Sequence, residues 1–192
     1  MKATDLLKAQ HKTVADLFKR IEKSEKDEEK LTLFEELASS LAAHDAIERE
    51  IFYPACEEKM GETDLLNEAV VEHGLVEFSL YLADQARGNE DFETKVKVLK
   101  EVVEHHVEEE EKEFFPRVEK ALGAEPLKEL GTAMKARFEE AKAKDFRGPL
   151  HENLREVLAG ATKTVDNPGA KRRVARKTAK KKAPAKSAHA AS

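Results

Sequence analysis

Cysteine is nearly absent from this chain: Cys56 is the single thiol in 192 residues. One thiol excludes an internal disulfide framework and a cysteine-built zinc or iron–sulfur site. Cys56 therefore reads as a small buried hydrophobe. Long apolar runs are missing as well, and without about 18 consecutive apolar residues no segment suggests a membrane-spanning helix. The opening MKATDLLKAQHK lacks the apolar core and cleavage pattern of a secretory signal, so a cytoplasmic location is expected. Strand-like alternation is also scarce, because apolar residues recur at intervals of three and four, which makes the chain all-α.

What is present is charge, unevenly spread. The chain is 40% hydrophobic and 38% charged, enough for one well-filled domain with an appendage. From Gly160 onward, ten Lys or Arg stand against Asp166, so the end carries +9 and the preceding 159 residues −14 of the net −5. The stretch 160–192 is Ala, Lys and Pro rich without apolar periodicity, and is expected to be a disordered basic tail. Such a tail can hold phosphates weakly and nonspecifically in low salt. It has no aromatic side chain to stack on bases, which excludes sequence-specific reading. A solubilising role is its plain alternative, and deletion of the tail with DNA retention as the readout separates the two.

Four helices account for the body. The first runs from about Thr4 to Lys23, with Leu7, His11, Val14, Phe18 and Ile21 on one face. The second runs from about Glu28 to Lys59, with Leu37, Leu41, His44, Glu48 and Ile51 in line. Thr63 is placed to cap the third, whose stripe is Leu66, Val70, His73, Val76 and Leu80, and Gly88-Asn89 stops it. The fourth, from about Asp91 to Ala121, carries Leu99, Val103, His106, Glu110 and Phe114 and stops at Gly123. Short connections make neighbours antiparallel, giving an up-down-up-down four-helix bundle over residues 1–145, with an extra fifth helix after Gly123. A short accessory helix is expected at 146–159. Pro54 and Pro116 fall inside helical patterns and should kink or end them.

The chain repeats itself at an offset of 62 residues. This shift carries His11 to His73, His44 to His106, Glu48 to Glu110, Phe52 to Phe114 and Pro54 to Pro116. HDAIEREIFYP and HVEEEEKEFFP share the same H-x3-E with a proline ten residues after the histidine. The repeat predicts a two-fold symmetric site.

Each of the four histidines lies on its helix's apolar stripe, and Glu48 and Glu110 follow one turn later on the same face. Two ionised carboxylates in a bundle core cost several kcal/mol unless compensated. No lysine or arginine shares the stripes near them, so metal cations are the simpler compensation. Four imidazoles and two carboxylates exceed one tetrahedral site and suit two ions with bridging glutamates. Nitrogen and oxygen donors favour iron, with manganese possible. The Glu-x-x-His of ferritin-like bundles is excluded, because Lys8, Leu41, Val70 and Val103 stand where its glutamates would be.

These features resemble the hemerythrin-like HHE cation-binding domain, through AQHKTVADLF, HDAIEREIFYPA, VEHGLVEFSL and HHVEEEEKEFFPRV. The resemblance implies that His11, His44, His73 and His106 are terminal ligands of a di-iron centre. Glu48 and Glu110 would bridge it, and an oxo or hydroxo group would complete the bridge. Two positions depart from the oxygen carriers of the family. Glu77 stands where they have a second third-helix histidine, which alters the open coordination position. They also set the fourth-helix carboxylate five residues after its histidine, which would select Glu111, whereas the internal repeat selects Glu110. Asp45 resembles an acidic position that some members use as an additional ligand, without a counterpart in the repeat, where Val107 stands.

Three functions fit this reading. The first is a di-iron protein binding O2, nitric oxide or peroxide for sensing, storage or detoxification. The second is an enzyme that decomposes hydrogen peroxide or reduces nitric oxide at the same centre. The third is a helical scaffold whose basic tail binds nucleic acid nonspecifically.

Overall fold

The computed structural model describes residues 1–163, and the remainder of the expected basic tail lies outside the described residues. Six helices and no strand occur among them. Helix α1 is Ala3–Lys23. Helix α2 covers residues 27–60 as Asp27–Ile47, a π-helical turn Glu48–Phe52 and Tyr53–Met60. Helix α3 is Asp64–Gln85, opened by the Thr63 side chain, which accepts a hydrogen bond from the Leu66 N–H at 3.2 Å. Helix α4 covers 92–122 as Phe92–Glu109, a π-helical turn Glu110–Phe114 and Phe115–Leu122. Helix α5 is Ala124–Lys142, and α6 is Arg147–Lys163.

The accessory helix thus extends four residues beyond the expected 146–159. Its first part belongs with the bundle, because Met1–Leu154 form one compact unit. None of the described helices is long and apolar enough to cross a membrane.

The buried side chains fall into two apolar clusters. One holds Val14, Phe18, Phe34, Leu37, Leu80 and Leu99; the other holds Leu7, Ile47, Phe52, Leu66, Phe114 and Leu127. Each fully buried side chain of this size contributes about 1.5–3 kcal/mol. Along α1 and α3 the chain passes from the second cluster to the first, and along α2 and α4 from the first to the second. The four helices therefore alternate in direction, and each crosses a polar layer midway, at His11, His44, His73 and His106. Val70 is a correction to the expected third stripe: it is 55% exposed, and Ala69 takes the inward place.

Neither Pro54 nor Pro116 ends its helix. In both, an i to i−5 bond closes the π turn just before the proline: the Tyr53 N–H donates to the Glu48 carbonyl, and the Phe115 N–H to the Glu110 carbonyl. The proline then enters as a first-turn residue of a new α-helical segment, where its missing N–H leaves no bond unmade. The widened turn also lets two consecutive residues be buried, Phe52 with Tyr53 and Phe114 with Phe115. The repeat extends to the stops: Gly61 (φ 75°) and Gly123 (φ 80°) adopt the same left-handed conformation.

Helix α5 packs on α1 and α2. A methyl group at Gly131 would run into the backbone of Met1, Lys2 and Ala3, so the glycine permits this close approach. Arg137 clamps α5 to α2 through two bonds to Glu50, at 2.7 and 2.8 Å. At the start of α6, Arg147 binds Glu35 of α2 and Asp84 of α3, each through two nitrogens at 2.8–3.1 Å.

Candidate metal centre

The polar layer brings together all six residues that the repeat selects. His11, His44, Glu48, His73, His106 and Glu110 are each at most 7% exposed. Donor atoms of His11, His44, Glu48 and Glu110 lie within 4.8 Å of one another, and so do those of Glu48, His73 and His106. Glu48 belongs to both groups, as a bridging carboxylate would. Its Oε2 is 3.0 Å from His44 Nε2 and 3.2 Å from His73 Nε2. Glu110 Oε2 is 3.4 Å from His11 Nε2 and 3.5 Å from His106 Nε2.

The outer nitrogens decide what these short distances mean. His11 Nδ1 lies 2.8 Å from Glu111 Oε1, and His44 Nδ1 lies 2.8 Å from Gln10 Oε1. His73 Nδ1 lies 2.6 Å from Asp45 Oδ1, and His106 Nδ1 lies 2.9 Å from Glu72 Oε2. Carboxylate and carbonyl oxygens only accept, so each Nδ1 must donate and a neutral ring keeps its Nε2 lone pair facing inward. In neutral rings, lone pairs of nitrogen and oxygen then meet at 3.0–3.5 Å, a repulsion that only a cation or a proton between them relieves. Among the described residues both oxygens of Glu48, Oε2 of Glu110 and Nε2 of His106 are buried without a hydrogen-bond partner. A layer so arranged takes up positive charge, and its nitrogen and oxygen donors suit a metal ion.

Electrostatics in the metal-free protein tell the same story through protons. Burial pushes the His73 imidazole down, but Asp45 and Glu48 outweigh it and lift it to about 10. Burial likewise opposes the charge on His11, while Glu110 and Glu48 raise it above the usual histidine value. Burial would raise the Glu48 carboxyl, yet the imidazoles of His44 and His73 hold it well below the carboxylate range. Where no metal supplies positive charge, protons do.

The remaining sequence-selected residues stand outside the layer. Asp45 holds His73 by its outer nitrogen and joins neither donor group. Glu77 also joins neither group; it accepts from Asn153 at 2.7 Å and pairs with Arg49 at 3.1 Å. Of the two fourth-helix candidates, Glu110 faces inward and Glu111 supports His11 from the rim. His105 is 65% exposed, 3.3 Å from Glu72. Cys56 is buried, and burial with the nearby Glu110 and Glu48 charges pushes its thiol up to about 12, which makes it inert.

Sequence reasoning missed Tyr53. Its hydroxyl lies 2.8 Å from His73 Nε2 and donates to Glu110 Oε1 at 3.1 Å. The signal was in the repeat: the counterpart of Tyr53 is Phe115, which stacks on His11 with centroids 5.9 Å apart. The same place beside the third-helix and first-helix histidines is polar in one half and apolar in the other.

This fold and layer define a metal-binding helical bundle. The chain belongs to the hemerythrin family: the Hemerythrin HHE cation binding domain matches residues 2–118. A crystal structure of a Hemerythrin HHE cation binding domain-containing protein from Mycobacterium kansasii is 29% identical, with a TM-score of 0.65 over 74% of this chain and 88% of that one. A protein of Nostoc sp. named a DNA nickase is 27% identical over 139 residues, 71% of this chain. This chain matches 39% of that protein's length.

Proposed function

We propose that this HHE domain holds two iron ions and binds a small ligand, O2, nitric oxide or a peroxide, for sensing, storage or detoxification in the cytoplasm. The observation that carries the reading is the set of inward Nε2 atoms with both Glu48 oxygens and Glu110 Oε2 unpartnered among the described residues, and every outer nitrogen already committed. His11, His44, His73 and His106 would be the terminal ligands, with Glu48 and Glu110 between the ions. A pair of redox-active ions would supply an open position and two electrons. The chain's own side chains would keep the ring orientations fixed, exclude bulk water from the layer and hold a proton at Tyr53 Oη, 3.1 Å from Glu110.

A second reading rests on that proton. A hydroxyl donor inside the layer favours an enzyme that consumes peroxide, since such chemistry needs protons delivered where the bond breaks. The nickase activity of the Nostoc protein is not carried over. The layer is at most 7% exposed, which keeps a nucleic-acid backbone from reaching it.

Metal content per chain, with an optical spectrum in air before and after azide, tests the proposal. Two irons and near-ultraviolet bands that respond to azide support it. A folded, colourless and metal-free protein refutes it.

A further inference from the structure

A cavity of about 120 Å³ adjoins all four histidines. On one side it meets His11, His44, His73 and His106; Leu41, Val76, Leu80, Val103, Phe146 and Leu150 form an apolar wall, and the charged Asp45, Arg49, Arg137 and Lys144 also line it. Phe146 and Leu150 come from the region after residue 118, so Phe146 and the start of α6 add walls that the family-matched segment lacks. Glu77 also lines the cavity, is 4% exposed, and its Oε2 is buried without a hydrogen-bond partner among the described residues. Its other oxygen is committed to Asn153 and Arg49.

Size, wall and the unpartnered oxygen together select a ligand. An apolar cavity of about 150 Å³ accommodates benzene, so 120 Å³ suits about five or six non-hydrogen atoms. The wall of Val76, Leu80 and Leu150 favours carbon over water, and the polar residues on the other side suit a ligand with one polar end. The free Glu77 oxygen calls for one hydrogen bond, because a buried polar atom left unmatched costs about 1–3 kcal/mol. The geometry points to a small aliphatic hydroperoxide as the ligand, its alkyl group against Val76, Leu80 and Leu150 and its oxygen end between Glu77 and the histidines. This rests on reading the histidine layer as a metal centre and names which peroxide that centre meets. It moves Glu77 from a candidate metal ligand to the ligand's polar anchor.

The redox-inert alcohol tert-butanol, which pairs a small alkyl group with one hydroxyl, is the probe. Saturation-transfer NMR on its methyl signal should show saturable binding to the purified protein, in samples whose metal content is measured. Val76→Phe, or Ala42→Leu on the facing α2 if the first fails to fold, should abolish that binding and leave metal content unchanged. Glu77→Leu should weaken it about tenfold, and Glu77→Gln, which keeps a polar partner, should restore most of it. Absence of saturable binding in a two-metal sample, or equal binding in the cavity-filled variants, would overturn the assignment. A metal-free sample that binds with the same variant pattern would sink the di-iron reading and uphold the cavity's.

Discussion

Glu48→Gln is the sharpest perturbation of the proposed centre, because it removes one charge and almost no volume from a fully buried side chain. Both Glu48 oxygens lack hydrogen-bond partners, so the substitution breaks no bond among the described residues and acts through charge. Its size follows from linkage. A metal present at 100 times its dissociation constant stabilises the folded state by about 2.7 kcal/mol, and at 1,000 times by about 4.1 kcal/mol. The proposed centre holds two ions, and for a chain of this length 1 kcal/mol moves Tm by about 2–4 °C, so chelation should lower the wild-type Tm by roughly 10–30 °C. Glu48 lies in both donor groups, and its variant should lose both ions and show no chelator-dependent shift. Glu113→Gln, at an exposed position of the π turn that carries Glu110, should retain metal and shift. The assay is calorimetry with and without chelator, alongside metal analysis. Full metal content in Glu48→Gln, or a wild-type Tm indifferent to chelator, would refute the reasoning.

Three further outcomes are expected. Glu72→Ala, which frees His106 Nδ1, should lower metal affinity roughly 10–100-fold in competition with a chromophoric chelator, without abolishing binding. In the metal-free protein the raised His73 value stabilises the fold fully below pH 6.5, and this is lost as pH rises through about 10. Urea midpoints should therefore fall over that range in the metal-free protein and stay flatter in the loaded one, where Nε2 carries no proton. Gly131→Val should destabilise by about 1–3 kcal/mol in denaturant titration, because its side chain meets backbone of Met1, Lys2 and Ala3.

The six layer residues were legible because helical periodicity and the repeat both act on them. A stripe at intervals of three and four names the inward face, and a second copy 62 residues away confirms it. Val70 shows the limit: it fits the spacing, but Ala69 lies closer to the true inward direction, and a helix tolerates that rotation without a sequence mark. The outer partners were not legible, since Gln10 with His44 and Glu111 with His11 are 34 and 100 residues apart. Only tertiary packing joins them. The π turns depend on a backbone bond displaced by one residue, and the prolines marked their places without revealing their form.

The two-fold repeat also divides the donor set. Each 62-residue copy contributes two imidazoles and one carboxylate, half a centre, so a single copy would complete its donor set only by pairing with another. The chain thus carries within itself the two half-sites that a symmetric dimer would bring together. The two halves are not identical: Asp45, Arg49, Tyr53 and Glu77 stand where the other half has Val107, Glu111, Phe115 and Ala15. Three of these polar groups come from the first copy and Glu77 from the second, and they meet where α2 faces α3, which gives the centre a handed side.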